Sequence, residues 1–199
     1  MMDFKEIKDL VTFYLHRTDL EAVMPQFFEL ARERISKDAR LIAMEVDLHL
    51  DFVGSPVALP VDFLEFRSVR ANVTGGIRAL KVATKNHLDT VQDISGRSPS
   101  FYALSGGKLE IAPGQNNGDI DTTYYARPAL LINDNDTNSV LDDWPSLYLF
   151  SVLTYANNSI QDTESEQVAQ RQYELELERA NESDDNARYS GDSPTMTGS

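Results

Sequence analysis

The spacing of the apolar residues changes twice along this chain, and that change constrains its fold more than any other feature. Phe4, Ile7, Val11 and Leu15, with Leu10 and Tyr14 beside them, recur every three or four positions and predict one face of a helix. A second set, Leu20, Val23, Met24, Phe27, Leu30, Ala31 and Ile35, extends the same period toward Ile42. Arg32, Glu33, Arg34, Lys37 and Asp38 supply its polar side. Thr18 or Asp19 suits the N-cap of this second helix, and Pro25 falls in its first two turns, where it is tolerated or bends the axis.

From Ser55 to Arg127 the helical period is gone, and Gly, Pro and Asn punctuate short β-prone runs. Val61–Phe66 follows Pro60, and Val69, Ala71 and Val73 alternate with Arg70 and Asn72. Thr74-Gly75-Gly76 predicts a turn into Ile77–Ala83. Asn86–Ile94 reads as a loop or a short helix, and Ser98-Pro99 introduces Ser100–Leu104. Ser105-Gly106-Gly107 predicts a hairpin turn into Lys108–Ala112, Pro113–Gly118 a second loop, and Ile120, Thr122, Tyr124 and Ala126 one face of a last strand. These are about five strands in sequential order, and sequential strands usually pair, so a small antiparallel sheet is expected.

The stretch Tyr124–Ala156 leads back to the helical regime. Arg127-Pro128 stops the strand, a polar loop runs through Asn133, Asp134, Asn135, Asp136 and Asn138, and Asp142, Asp143 and Pro145 open an apolar helix with Leu149, Val152, Leu153 and Ala156. Acidic residues at that start suit the helix dipole. Thr163 with Glu166 three residues on has the capping-box pattern, and Ala169, Tyr173, Leu177 and Ala180 form the next stripe. From Asn181 the chain is polar and reads as a flexible tail. The expected fold is α+β: a mainly α-helical bundle of about four helices with an inserted small antiparallel β-sheet and a flexible C-terminal tail. The expected domains are 1–54 and 128–180 for the bundle helices, 55–127 for the β-rich insert and 181–199 for the tail.

Composition narrows function mainly by exclusion. The net charge is −14, from 32 acidic and 18 basic side chains, which argues against a chain that coats nucleic acid. Acidity favours solubility and also repels passing polyanions. The absence of cysteine excludes disulfides, thiolate catalysis and Cys-ligated zinc. The N-terminus MMDFKEIKDLV lacks the apolar core of a signal peptide, and no run reaches the roughly 18 apolar residues of a membrane span, so no membrane anchor is expected.

No motif carries chemistry. His16, His49 and His87 are scattered without a ligand partner at metal spacing. Asp134, Asp136 and Asn138 resemble the start of a calcium loop, but the Gly after them is missing and Pro145 stands where the closing Glu belongs, so Asx-turns fit better. Among 32 acidic residues, candidate carboxylate pairs for glycoside hydrolysis mean little. There is no GxSxG elbow, and Gly75-Gly76 and Gly106-Gly107 lack the Lys-Ser/Thr of a phosphate loop. Trp144, beside Pro145, suits packing at a helix start. No catalytic, cofactor-binding or metal-binding residue is expected, and no enzyme.

Four stretches, in this order, resemble the head-to-tail adaptor proteins of tailed bacteriophages, also called head-completion or connector proteins. The first is Ala31-Arg32-Glu33-Arg34-Ile35 with Asp38-Ala39-Arg40, and the second is Leu59-Pro60-Val61-Asp62-Phe63-Leu64-Glu65-Phe66-Arg67-Ser68-Val69. The third is Pro99-Ser100-Phe101-Tyr102-Ala103-Leu104 with Leu109-Glu110-Ile111-Ala112-Pro113. The fourth is Tyr124-Tyr125-Ala126-Arg127-Pro128 and Thr137-Asn138, then Pro145 and its helix.

The resemblance implies a structural ring, usually of twelve copies, beneath the portal at the head–tail junction of the virion. It implies contacts with the portal protein and a tail or nozzle protein, and double-stranded DNA passing through the channel at ejection without specific binding. It also implies synthesis in the host cytoplasm and a C-terminal segment lying along the portal, in which Arg188, Tyr189, Pro194 and Met196 are the candidate portal-binding residues. The alternatives are a tail-associated peptidoglycan hydrolase and another neck component such as a tail-terminator.

Overall fold

The computed structural model describes residues 2–53, 56–73, 76–92, 98–113 and 117–189. The elements follow in the order α1 (Phe4–Leu15), α2 (Met24–Asp38), a 3-10 turn (Ile42–Met44), β1 (Glu45–Val53), β2 (Val57–Ala58), β3 (Phe63–Val73), β4 (Gly76–Ala79) and β5 (Lys81–Val82). Then come α3 (Lys85–Val91), β6 (Phe101–Ser105), β7 (Lys108–Ala112), β8 (Asn117–Ala126), α4 (Ser139–Asp143), α5 (Pro145–Ser159) and α6 (Thr163–Tyr189). They divide into two compact units: one contains the residues up to Met44 and those from Arg127 onward, the other is Glu45–Ala126.

This corrects the expected fold. The described residues form two sheets of four strands each beside the helices, rather than a mainly helical bundle carrying one small sheet. One sheet has the order β1-β8-β3-β4, the other β2-β7-β6-β5, and β5 runs parallel to β6. Sequential strands pair in the β3–β4 and β6–β7 hairpins and, in parallel, between β5 and β6. β8 instead enters between β1 and β3, and β2 pairs with β7. Five strands were expected; β1, β2 and the split of Ile77–Ala83 into β4 and β5 make up the difference. β1 carries a plain period of two, Val46-Asp47-Leu48-His49-Leu50-Asp51, in a region assigned to helices.

Expected Val61–Phe66 and Val69–Val73 are one strand, β3. Its alternation breaks because the register against β8 shifts between Phe63 and Glu65 and again between Phe66 and Ser68. The extra residue lets both Phe66 and Val69, three positions apart, face the core. At the tip of the β6–β7 hairpin Gly106 and Gly107 have φ of 57° and 73°, the left-handed pair a type I′ turn requires. Thr74 and Gly75 of the expected turn and residues 114–116 of the expected loop lie outside the described residues.

In the β unit the sheets share a core: Phe66, Val69 and Ala71 of β3 and Ile120 and Tyr124 of β8 cluster with Leu109 and Ile111 of β7. α3 closes a second, smaller cluster, Leu88 against Ala103 and Ala112; the expected loop or short helix over Asn86–Ile94 is helical to Val91, and residues 93–94 lie outside the described residues. Each fully buried aliphatic side chain here contributes about 1.5–3 kcal/mol over exposure.

In the helical unit α5 is the central element. Its buried residues Leu147, Tyr148, Leu149, Ser151, Val152, Leu153, Thr154, Ala156 and Asn157 go well beyond one stripe, as expected of a helix covered on several sides. α1 contributes Phe4, Ile7 and Val11, α2 Phe27, Phe28, Ala31 and Ile35, and α6 Ala169, Tyr173 and Ala180. α2 starts at Met24 with Pro25 in its first turn, not after Thr18 or Asp19; Asp19 pairs with Arg17 instead. α2 ends where Ala39 turns extended, so Ile42 lies in the 3-10 turn and is exposed. α6 is capped by Asp162, not Thr163: its carboxylate accepts from Ser165 N–H at 3.1 Å. α6 continues to Tyr189, past Asn181, where a flexible tail was expected to begin.

Candidate functional site

Strand pairing assembles one concentration of charge that sequence spacing cannot show. On β1 and β8 the register sets Asp47 opposite Thr123, His49 opposite Asp121 and Asp51 opposite Asp119. Because side chains alternate along a strand, all six project from the face of the sheet turned away from its core, where Leu48, Leu50 and Ile120 pack. β3 adds Ser68 beside Thr123 and Arg70 beside Asp121. The result is a face with four aspartates, one histidine and one arginine.

Asp51 and Asp119 lie directly across from each other, a like-charge pairing that costs stability unless a cation sits nearby. His49 fills that role when it is protonated. Its Nδ1 is 2.7 Å from Asp121 Oδ1 and its Nε2 3.3 Å from Asp51 Oδ1. The hydrogen bond to Asp121, then the fields of Asp121, Asp51 and Asp119, raise its pKa above the ordinary 6.5. His49 in its neutral form, Asp51 and Asp119 each offer one ligand atom, all within 4.8 Å of one another, so among the described residues these three could hold a metal ion. The expectation that His49 has no partner followed from looking along the chain; the partner Asp119 arrives through the β1–β8 register. The period-two run through His49 was the available signal.

The other histidines stand apart. His16 is the left-handed C-cap of α1, with φ of 51°, and the ring of His87 packs edge-on to Phe101 with centroids 4.9 Å apart. Trp144 is the N-cap residue of α5, half-buried, and Pro145 takes the first helical position.

The loop that resembles a calcium site is consumed by local bonding. Asp136 Oδ2 accepts from the N–H groups of Ile132 and Asn133 at 2.8 Å each, which holds its carboxyl below the usual range. Asp134 pairs with Lys8 at 2.6 Å, and that contact lowers its pKa likewise. The carbonyls of Asp136 and Asp134 accept from Phe4 N–H and Lys5 N–H, so the loop supplies acceptors to the open N-terminus of α1. Asp3 and Glu6 complete that end as a capping box.

Asn138 is the N-cap of α4: its Oδ1 accepts from Leu141 N–H at 2.9 Å, while its Nδ2 donates to Ala129 O and to the Tyr148 hydroxyl, both at 3.0 Å. Burial pushes the Tyr148 pKa up to about 12, and its ring stacks near Phe28. Arg32 donates to Pro128 O and pairs with Glu33, which also draws Arg127 to 3.6 Å. Asn133, Asp134, Asp136, Asn138 and Asp142 of this return path thus each have a structural partner.

The C-terminal candidates divide. Arg188 is half-buried; it donates to Arg40 O at 3.4 Å and approaches Asp185 at 3.7 Å, so its guanidinium is turned onto the end of α2. Asp184, 8% exposed, accepts from Ile42 N–H and fixes the same corner. Tyr189, 69% exposed, is free to meet another surface. Pro194 and Met196 lie outside the described residues. Among the described residues no helix is long and apolar enough to cross a membrane.

Residues 2–197 match the family model described as SU10 adaptor protein. No curated protein matches the chain.

Proposed function

Because this chain belongs to the SU10 adaptor protein family, a family of phage head–tail adaptors, we propose that it is the structural adaptor of a phage neck. In this reading copies of the chain close into a ring, usually of twelve, beneath the portal and present the far side to the next tail or nozzle component. The ring continues the channel through which DNA leaves the head. The observation that carries the reading is the family match across 2–197, nearly the whole chain.

Three features support the finer reading. The net charge of −14 and the four-aspartate sheet face disfavour phosphate capture, which suits a wall that DNA must slide past. The polar residues of the return loop are engaged in holding helices together rather than converging on a substrate. The chain beyond Tyr189 begins where α6 ends with an exposed aromatic side chain.

That last feature sharpens the test of portal docking. Deleting from Asn181 would also remove Asp184 and Arg188, and with them the bonds to Ile42 and Arg40. Deleting residues 190–199 leaves those bonds intact. The expected outcome in a pull-down with portal rings is a fold unchanged by circular dichroism and binding weakened by about tenfold. Unchanged binding would remove the C-terminal segment from the contact.

A further inference from the structure

At the end of α1 the apolar surface runs past its partners. Phe13 and Tyr14 are 69% and 52% exposed, and Val168 on α6 is 59% exposed. Tyr14 and Val168 border a groove of about 480 Å³ between α1, α5 and the start of α6. Phe150, Leu153 and Ala169 also line it, and Asp162 and Glu164 add carboxylates. The carboxyl of Asp162 is held below its usual range by the N–H and hydroxyl of Ser165, so this edge stays negative at neutral pH.

An apolar groove with an acidic edge fits an apolar segment flanked by cations. Such segments are scarce in a chain of net charge −14. The β4–β5 edge is one. Ile77 and Val82 are 64% and 73% exposed, and Arg78 and Lys81 between them are exposed, with no ion pair to another described residue. β4 and β5 are each the outermost strand of their sheet, so their far backbone edges lack a strand partner.

Resting on the reading that copies of this chain assemble with one another, we infer that the β4–β5 edge of one copy seats in the α1–α5–α6 groove of the next. Val82 or Ile77 fills the apolar floor, and Lys81 and Arg78 face Asp162 and Glu164. The two surfaces differ, so the contact is head-to-tail and propagates from copy to copy. A stable interface buries about 800 Å² per partner, so this groove is the anchor of a larger contact. A second copy is the favoured occupant because both halves occur in one chain, with opposite charge, and among the described residues neither Glu164 nor Arg78 and Lys81 has an ion-pair partner.

The absence of cysteine makes the test direct. In a full-length Val82→Cys, Val168→Cys variant these are the only thiols of this chain, and a short bismaleimide is added to the assembled protein, alone or on portal rings. The contact predicts a ladder of covalent multimers, whereas an equal mixture of the two single variants stops at dimers. In parallel, Glu164→Lys is expected to weaken self-assembly by about tenfold and Arg78→Glu in the same chain to restore it, since like charges facing each other across an interface repel. Full assembly by native mass without the 82–168 link overturns this contact and leaves the ring reading standing. So does a link from position 168 to the portal, or self-linked Val82→Cys alone. A chain that stays monomeric even on portal rings overturns both.

Discussion

The two compact units use polar residues in opposite ways. In the helical unit the polar side chains of the return path are bound: Asn138 joins α4, Ala129 and Tyr148, Asp136 orders its own loop, and Asp184 holds the 3-10 turn. In the β unit the core is almost wholly apolar and the polar residues sit outside it, Asp47, His49 and Asp51 on an exposed face. The helical unit therefore depends on hydrogen bonds that fix how its elements enter and leave. The β unit depends on packing between sheets, which frees its outward face for charge that no fold requirement explains.

The strongest way to break this contrast is to open the β core. Ile111→Ala is expected to cost about 2–5 kcal/mol by lost transfer energy and an unfilled cavity. Trp144, the only tryptophan, lies in the helical unit, so its fluorescence follows that unit. The expected result is an early transition seen by circular dichroism with the Trp144 transition unmoved; a joint shift would show that the units melt together.

Next in size is Asn138→Ala, which removes a cap and leaves Tyr148 and the Ala129 carbonyl without their donor. About 1–3 kcal/mol is expected, now with the Trp144 transition shifted in chemical denaturation. A loss within 0.5 kcal/mol, roughly the scale of a neutral surface change, would mean the buried bonds are dispensable.

A smaller effect concerns acid. Asp134, Asp136 and Asp162 have pKa values lowered by their hydrogen bonds, all in the helical unit. Their contribution is complete above the ordinary carboxylate value of 3.8 and is lost as pH falls through the lowered values. The helical transition should weaken in that window, and Asp136→Asn should flatten part of the slope.

The smallest effect on stability is Asp121→Asn, within about 0.5 kcal/mol as for exposed sites generally. Its readout is the His49 titration by NMR. The raised pKa means that the His49 contribution is present below 6.5 and lost as pH rises through the folded value. The substitution should bring the midpoint down toward 6.5; an unmoved midpoint would show that the cross-strand pair does not form.

Local chemistry was legible in the sequence where it acts over a few residues. The stripe Phe4, Ile7 and Val11 is buried and the Gly106-Gly107 turn has left-handed backbone at both positions, whereas the expected Asx-turns give way to a carboxylate of Asp136 that accepts from N–H groups three and four residues before it. What escaped depends on distant partners. β8 lies between β1 and β3 through contacts some seventy residues apart, a pairing order that neighbour-by-neighbour reading cannot supply. The same pairing created the His49 cluster. The last turns of α6 looked like a tail because Asn181–Ala187 is polar; they stay helical while Asp184 and Arg188 bond to the end of α2 and the turn after it.

The proposed adaptor ring would be visible in a cryo-electron microscopy reconstruction of the virion. A closed ring of this two-unit fold is expected between portal and tail, with DNA or an open channel on its axis. A neck reconstructed to side-chain detail in which no density fits this chain would contradict it.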